Sequence, residues 1–201
     1  KRRGTGAKRL VQRKRRPKGL HLMSTMHIEE KIAWAKNQFL RWRPLLFSDG
    51  ELMRLLKAFG RAKDASHKVM VQAGVVDICR RCEMEEGGSC CGAGIEGHYD
   101  EWLLLINLML GVDLPKRRWR EDSCFFLSNK GCLLSARHTI CINYLCRKIT
   151  EQIDAKSIAL LREREGRELE LLFLLNERLK MVVKARGSGD RRNTKENRSV
   201  L

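Results

Sequence analysis

Apolar residues at Ile28, Ile32, Ala35 and Phe39 recur at steps of four, three and four, which places them on one face of a helix. Pro44 is expected to end that helix, because its ring blocks the preceding turn and it has no N–H to donate. Ser48-Asp49-Gly50-Glu51 reads as a capping box, with Ser48 as N-cap and Glu51 at the third helical position. Leu52, Leu55, Leu56 and Phe59 then form one stripe, predicting a second helix from about residue 49 into the 60s. From Cys79 to Gly97 the period disappears into five glycines and four cysteines, the composition of an irregular loop that a metal would organise. His98 to Leu110 regains helical spacing through Trp102, Leu105, Ile106 and Met109, with Gly111 and Pro115 closing it.

Lys116–Arg120 is a basic link, and Cys124 to Cys132 a short loop or hairpin turning at Asn129-Lys130-Gly131. Ser135 to Cys146 reads as helical. From about Glu151 to Lys184 the signal is strongest, with Ile158, Leu161, Leu172, Leu175, Leu179 and Val182 on a heptad frame that Glu165 and Glu168 interrupt. The interruption favours packing on the chain's own first two helices over a dimer seam, which needs roughly three to four clean heptads. Strand signals are nearly absent. The expected fold class is mainly α: a small helical domain around a cysteine-rich, metal-organised irregular core, with a long C-terminal helix.

Charge changes the picture at the ends only. The net charge is +17, yet residues 1–19 hold ten Lys or Arg and no acid, and residues 184–201 hold six bases against two acids. Residues 1–22 therefore read as a basic solvated tail, with Met23 or Met26 as an alternative start. Residues 23–185 read as one helical domain with its cysteines at 79–146, and 186–201 as a second basic tail. If the first tail is native it is suited to nucleic acid, through phosphate contacts; otherwise nucleic acid is not an expected partner. No run approaches the roughly 18 apolar residues of a spanning helix, so no membrane partner is expected. Without a secretory signal the expected compartment is the cytoplasm, where thiols stay reduced.

All eight cysteines fall in one 68-residue stretch: Cys79, Cys82, Cys90, Cys91, Cys124, Cys132, Cys141 and Cys146. Thiolates are soft ligands that suit zinc and iron–sulfur clusters, and a Cys-x-x-Cys such as Cys79–Cys82 turns two sulfurs toward one centre. The order in sequence suggests 79, 82, 90, 91 as one group and 124, 132, 141, 146 as another, although grouping in space need not follow it. Adjacent side chains such as Cys90 and Cys91 tend to diverge. Cys141 and Cys146, five apart, would lie roughly 140° apart on a helix. Arg137 and His138 precede Cys141 on its helical face, where His138 would ligate a metal or hydrogen-bond to a ligating thiolate. A four-thiolate centre carries about two negative charges, which Arg80, Arg81, Arg117, Arg118 and Arg120 would offset; Gly87, Gly88, Gly92 and Gly94 would let backbone N–H groups approach the sulfurs. Eight is also an even number, so four disulfides are the rival reading. Gly92-Ala-Gly94-Ile-Glu-Gly97 fits a dinucleotide fingerprint in spelling alone, since no hydrophobic strand precedes it.

In this ordered set the chain resembles the YkgJ-type cysteine-cluster family, described as zinc- or iron-chelating. Its marks are Cys79-Arg-Arg-Cys82, Cys90-Cys91, Cys124-Phe-Phe-Leu127, Cys132, and Arg137-His-Thr-Ile-Cys141 followed by Tyr144. Seven residues separate Cys82 from Cys90, more than is usual in the family, and His138 stands where proline is typical. The resemblance implies a metal- or cluster-binding bacterial protein of the cytoplasm. Some relatives, the flagellin lysine N-methylases, join such a cluster to methyl transfer, but no S-adenosylmethionine site is evident here. The leading expectation is thus a metal-ion or iron–sulfur protein with the eight cysteines as ligands, [4Fe–4S] ahead of zinc, and a structural, redox or accessory role beside a protein partner. A cluster-dependent transferase is the first alternative and a metal-stapled basic nucleic-acid-binding module the second.

Overall fold

Helix α1 spans Ile28–Ser48 and α2 spans Gly50–Gln72, so the two predicted amphipathic stretches are both present. The computed structural model describes residues 26–85 and 90–196, with side chains as far as Arg186; the first basic tail, Gly87 and Gly88 lie outside the described residues. Pro44 does not end α1 but sits inside it. Proline removes one N–H and one acceptor interaction, here at the carbonyl of Leu40, whose residue is 72% exposed. Two residues after Pro44, Leu46 is fully buried and keeps the last turn in place. The cap is also one residue later than expected: the Leu52 N–H donates to the Asp49 carboxylate at 2.8 Å. Ser48 belongs to α1, and its hydroxyl donates to the Leu45 carbonyl at 2.9 Å.

Helix α3, Val75–Glu85, follows a glycine corner at Gly74 (φ 80°), and it carries Cys79 and Cys82. The irregular loop expected from Cys79 onward therefore starts later, because Val75 and Ile78 bury a helical face that the glycine-rich composition downstream obscured. A short 3-10 turn at Ile95–His98 leads into α4, Glu101–Met109, whose cap is Asp100 accepting from Leu103 N–H at 2.7 Å. Strands β1, Leu127–Ser128, and β2, Gly131–Cys132, form the predicted hairpin, with Leu127 opposite Cys132. Gly131 has φ 100°, a conformation that glycine adopts at little cost. The stretch Ser135 to Cys146 is helical only at α5, Thr139–Asn143. Helix α6, Arg147–Gln152, starts after Cys146, and α7 runs Ala155–Glu196, past the boundary expected at 185. The fold is mainly α, with a long C-terminal helix.

Two apolar clusters hold these elements. In the larger, α7 lies along α2, and α1 packs on α4; Leu52, Leu55 and Phe59 of α2 share it with Leu172, Leu175 and Leu179 of α7. Each such buried side chain contributes about 1.5–3 kcal/mol relative to exposure. The heptad-like stripe of α7 is thus satisfied within the chain. Arg178 of α7 grips Asp49 through two hydrogen bonds, at 2.6 and 3.1 Å, tying the long helix to the α2 cap. The smaller cluster joins α3 to α6 and the start of α7 through Val75, Ile78, Ile149, Ile153 and Leu161.

Candidate functional site

Asn107 organises the wall on which the later cysteines stand. It is fully buried on α4, where an apolar face leaves no water to satisfy its amide. Its Nδ2 donates to the carbonyls of Leu103 and Ala136, each at 2.9 Å, and its Oδ1 accepts from Ser135 and Ala136 N–H at 2.9 and 3.0 Å. The segment before α5 is therefore pinned to α4. Tyr99, 1% exposed, continues the connection: its hydroxyl accepts from His138 N–H at 3.1 Å and donates to Cys141 Sγ at 3.6 Å. Lys31 of α1 supports the same turn by donating to the Gly97 and Tyr99 carbonyls at 3.1 and 2.8 Å.

The segment around Cys90–Gly94 lies antiparallel to residues 122–124. Cys124 N–H donates to the Cys91 carbonyl at 2.6 Å, Ala93 N–H donates to that of Asp122 at 2.8 Å, and Gly92 bridges Ser123. Glu96 secures this pairing, accepting from Gly94 N–H at 3.0 Å, from Phe125 N–H at 3.4 Å and from Arg118. Burial works to raise the Glu96 pKa, but the Arg118 bond and the backbone donors hold it below the ordinary carboxylate range. The hairpin then brings Cys132 back toward Cys124.

These constraints enclose a cavity of about 230 Å³ that five of the eight cysteines line: Cys90, Cys91, Cys124, Cys132 and Cys141. Ile95, Tyr99, Leu127, Ile140 and Tyr144 complete its largely apolar wall, and among the described residues Arg137 is the charged one that lines it. Burial pushes the Cys124 thiol up to about 11 and raises Cys132 and Cys141 as well, with neighbouring thiols adding to the shift of Cys124. The Cys91 thiol donates to the Cys90 sulfur, which holds Cys90 below and Cys91 above the ordinary thiol value.

The other three cysteines gather around the smaller apolar cluster. Cys79 and Cys146 both pack against it, and Cys82 is one turn from Cys79 on α3. Lys148 Nζ lies 3.6 Å from Cys82 Sγ. Burial, then the thiols of Cys90, Cys146 and Cys82, push Cys79 up to about 11. Cys146 is the N-cap of α6 and Cys141 lies on α5, so the break at 144–146 removes the rotational relation a continuous helix would have imposed. No disulfide links any of the eight.

His138 is the N-cap of α5, with its Nδ1 accepting from Ile140 N–H at 3.2 Å, and its ring stacks on His98 at 5.5 Å. Burial, then His98, lower its pKa. Periodicity registered Glu165 and Glu168 as interruptions; the structure buries both. Arg162 donates to Glu165 at 2.7 Å, yet burial outweighs that bond and raises the Glu165 pKa. Among the described residues neither carboxylate oxygen of Glu168 has a hydrogen-bond partner. Arg137 lies within electrostatic range of Glu165 and of Cys79, Cys132 and Cys141, a central position that its place beside Cys141 in the sequence did not disclose. Of the arginines expected to offset thiolate charge, Arg118 and Arg120 instead pair with Glu96 and Glu83.

As the side chains stand, no three His, Cys, Asp or Glu groups among the described residues converge on a point where they would hold a metal ion. The donor set nevertheless suits a soft metal: thiols on a desolvated, mostly apolar wall with cationic Arg137 among them, and Lys148 beside Cys82 in the other group. No family model, curated protein or solved structure matches the chain. Nor is any helix among the described residues long and apolar enough to cross a membrane.

Proposed function

We propose that this protein binds a metal ion or an iron–sulfur cluster through its cysteines, as a YkgJ-type protein would. The carrying observation is the single cavity lined by five thiols that come from four separate stretches of chain. Cysteine is a small apolar residue that tolerates burial, so one or two thiols in a core need no explanation. Five on one wall, three of them raised by burial, are a costly way to fill space and a suitable one for soft ligation.

All eight cysteines would serve as ligands, the bound group supplying either a structural crosslink or one-electron chemistry. Eight thiols with a vicinal pair exceed the four that one tetrahedral zinc uses, which favours iron–sulfur. Arg137 offsets the negative charge of the thiolates, Tyr99 orients Cys141, and the apolar wall limits water. The role is structural, redox or accessory to a partner protein, in the reducing cytoplasm where such thiols persist. The test is metal and acid-labile sulfide analysis with an ultraviolet–visible spectrum of anaerobically purified protein. A brown protein with iron and sulfide supports the cluster; a colourless protein with zinc supports the ion. Protein without metal, and unable to take it up after reduction, overturns the proposal.

A further inference from the structure

The spatial arrangement of the thiols divides them differently from their order in the chain. Cys124 is buried in the larger apolar cluster, and Cys91 and Cys141 pack against it. Cys132 joins them through the hairpin, whose register sets it opposite Leu127, and all four line the cavity. Cys79 and Cys146 pack instead against the smaller cluster between α3 and α6, with Cys82 a turn along α3. Cys90 stands between the groups: it lines the cavity, and it is also a close electrostatic neighbour of Cys79.

We infer that the eight thiols make two four-sulfur centres for soft metal, Cys79, Cys82, Cys90 and Cys146 in one and Cys91, Cys124, Cys132 and Cys141 in the other. The inference rests on the metal-binding reading above and goes further by fixing the number of centres and their membership. Cys90 belongs with the first set because the second already has four members without it, while the first has three. The vicinal pair is then the joint between the centres, each half serving one of them. Arg137, in electrostatic range of Cys79 on one side and of Cys132 and Cys141 on the other, is the cation common to both. Cys146 is thereby taken from its neighbours in sequence and paired with Cys79 across 67 positions, because α6 packs on α3.

The experiment uses the full chain, reduced and reconstituted anaerobically in two arms, with zinc alone or with ferrous iron and sulfide. Metal per chain is read by native mass spectrometry, and the absorption spectrum separates cluster from ion. Wild type is expected to take up two centres. Cys79→Ser with Cys82→Ser should lose one and keep the other, and so should Cys132→Ser with Cys141→Ser. The single variants decide the joint: Cys90→Ser should resemble the first pair and Cys91→Ser the second. Alkylation of the native loaded proteins, mapped by peptide mass, gives a readout that does not depend on every variant folding well. In the first double variant Cys90 and Cys146 should become reactive, while Cys91, Cys124, Cys132 and Cys141 stay protected.

One centre in wild type, joint loss of all metal from either pair, or Cys90 protected together with Cys132 and Cys141 would overturn the partition while leaving metal binding intact. Wild type that binds no metal in either arm would overturn the metal-binding reading itself.

Discussion

The Tyr99 hydroxyl donates to Cys141 Sγ at 3.6 Å and accepts from His138 N–H at 3.1 Å, so one buried phenol fixes both ends of the α5 entry. Burial, followed by the nearby Cys132 and Cys141, raises its pKa, and it is a neutral donor throughout the physiological range. Tyr99→Phe keeps the ring against Phe126 (5.0 Å between centroids) but leaves the His138 N–H without its acceptor. Loss of about 1–2 kcal/mol is expected in urea denaturation of the metal-free protein, the usual cost of one orphaned donor. An unchanged midpoint would mean that water replaces the hydroxyl.

Asn107 makes four hydrogen bonds in a fully buried setting, so its replacement should cost more than that of an ordinary core residue. Asn107→Leu conserves approximate volume and strands the N–H groups of Ser135 and Ala136 and the Ala136 carbonyl. A loss of at least about 2 kcal/mol is expected, since each stranded buried group costs about 1–3 kcal/mol. Hydrogen exchange should show the loss of protection concentrated at 134–138 before it spreads to α2 and α7.

The α2 cap supplies a pH dependence remote from the thiols. The Arg178 bonds, then the Leu52 N–H, hold the Asp49 pKa below its ordinary value. A depressed carboxylate contributes stability that is fully present above its unfolded pKa, near 3.9, and is lost as pH falls through the lower folded value. Asp49→Asn keeps a capping oxygen and removes the charge. It should therefore be less stable than wild type at neutral pH, and the gap should narrow as pH falls below about 4. Asp49→Ala removes the cap too, for about a further 1 kcal/mol. Thermal melts across that range measure both.

Glu168 points the other way. Its two oxygens have no hydrogen-bond partner among the described residues and its side chain is fully buried. Replacing an unsatisfied buried polar group by an apolar one of similar shape relieves a desolvation penalty of about 1–3 kcal/mol. Glu168→Met is expected to raise the midpoint of chemical denaturation. A lower midpoint would show that the carboxylate has a water or a cation as its counterpart.

Periodicity disclosed those parts of the fold in which burial follows the helical repeat. Leu52, Leu55, Leu56 and Phe59, and Leu172, Leu175, Leu179 and Val182, are buried where their spacing places them. The hairpin was visible because Asn129-Lys130-Gly131 has turn chemistry of its own. Pro44 misled because a proline's effect depends on whether the freed carbonyl meets water, a tertiary matter. Ser48 and Asp49 are both good caps, and only the Arg178 contact on a helix 129 residues later distinguishes them. Composition also hid α3, since glycines beyond Glu85 dominated a window whose first half is helical. Periodicity passes over Asn107, because most of its hydrogen-bond partners lie on another segment, at Ser135 and Ala136. The candidate ligands were legible one by one; which of them share a wall was not, because that depends on α6 meeting α3.

The packing of α7 along α2 sets an order of events during synthesis. At roughly 5–20 residues per second the ribosome completes Cys146 well before Leu172, Leu175 and Leu179 emerge. Until then the partner faces of α2 are uncovered, and the thiols of the middle third are made before the helix that completes the core. Among the described elements α7 is made after all the thiols and is the one that covers α2, so early release of the nascent chain would leave eight reactive sulfurs on an unfinished scaffold.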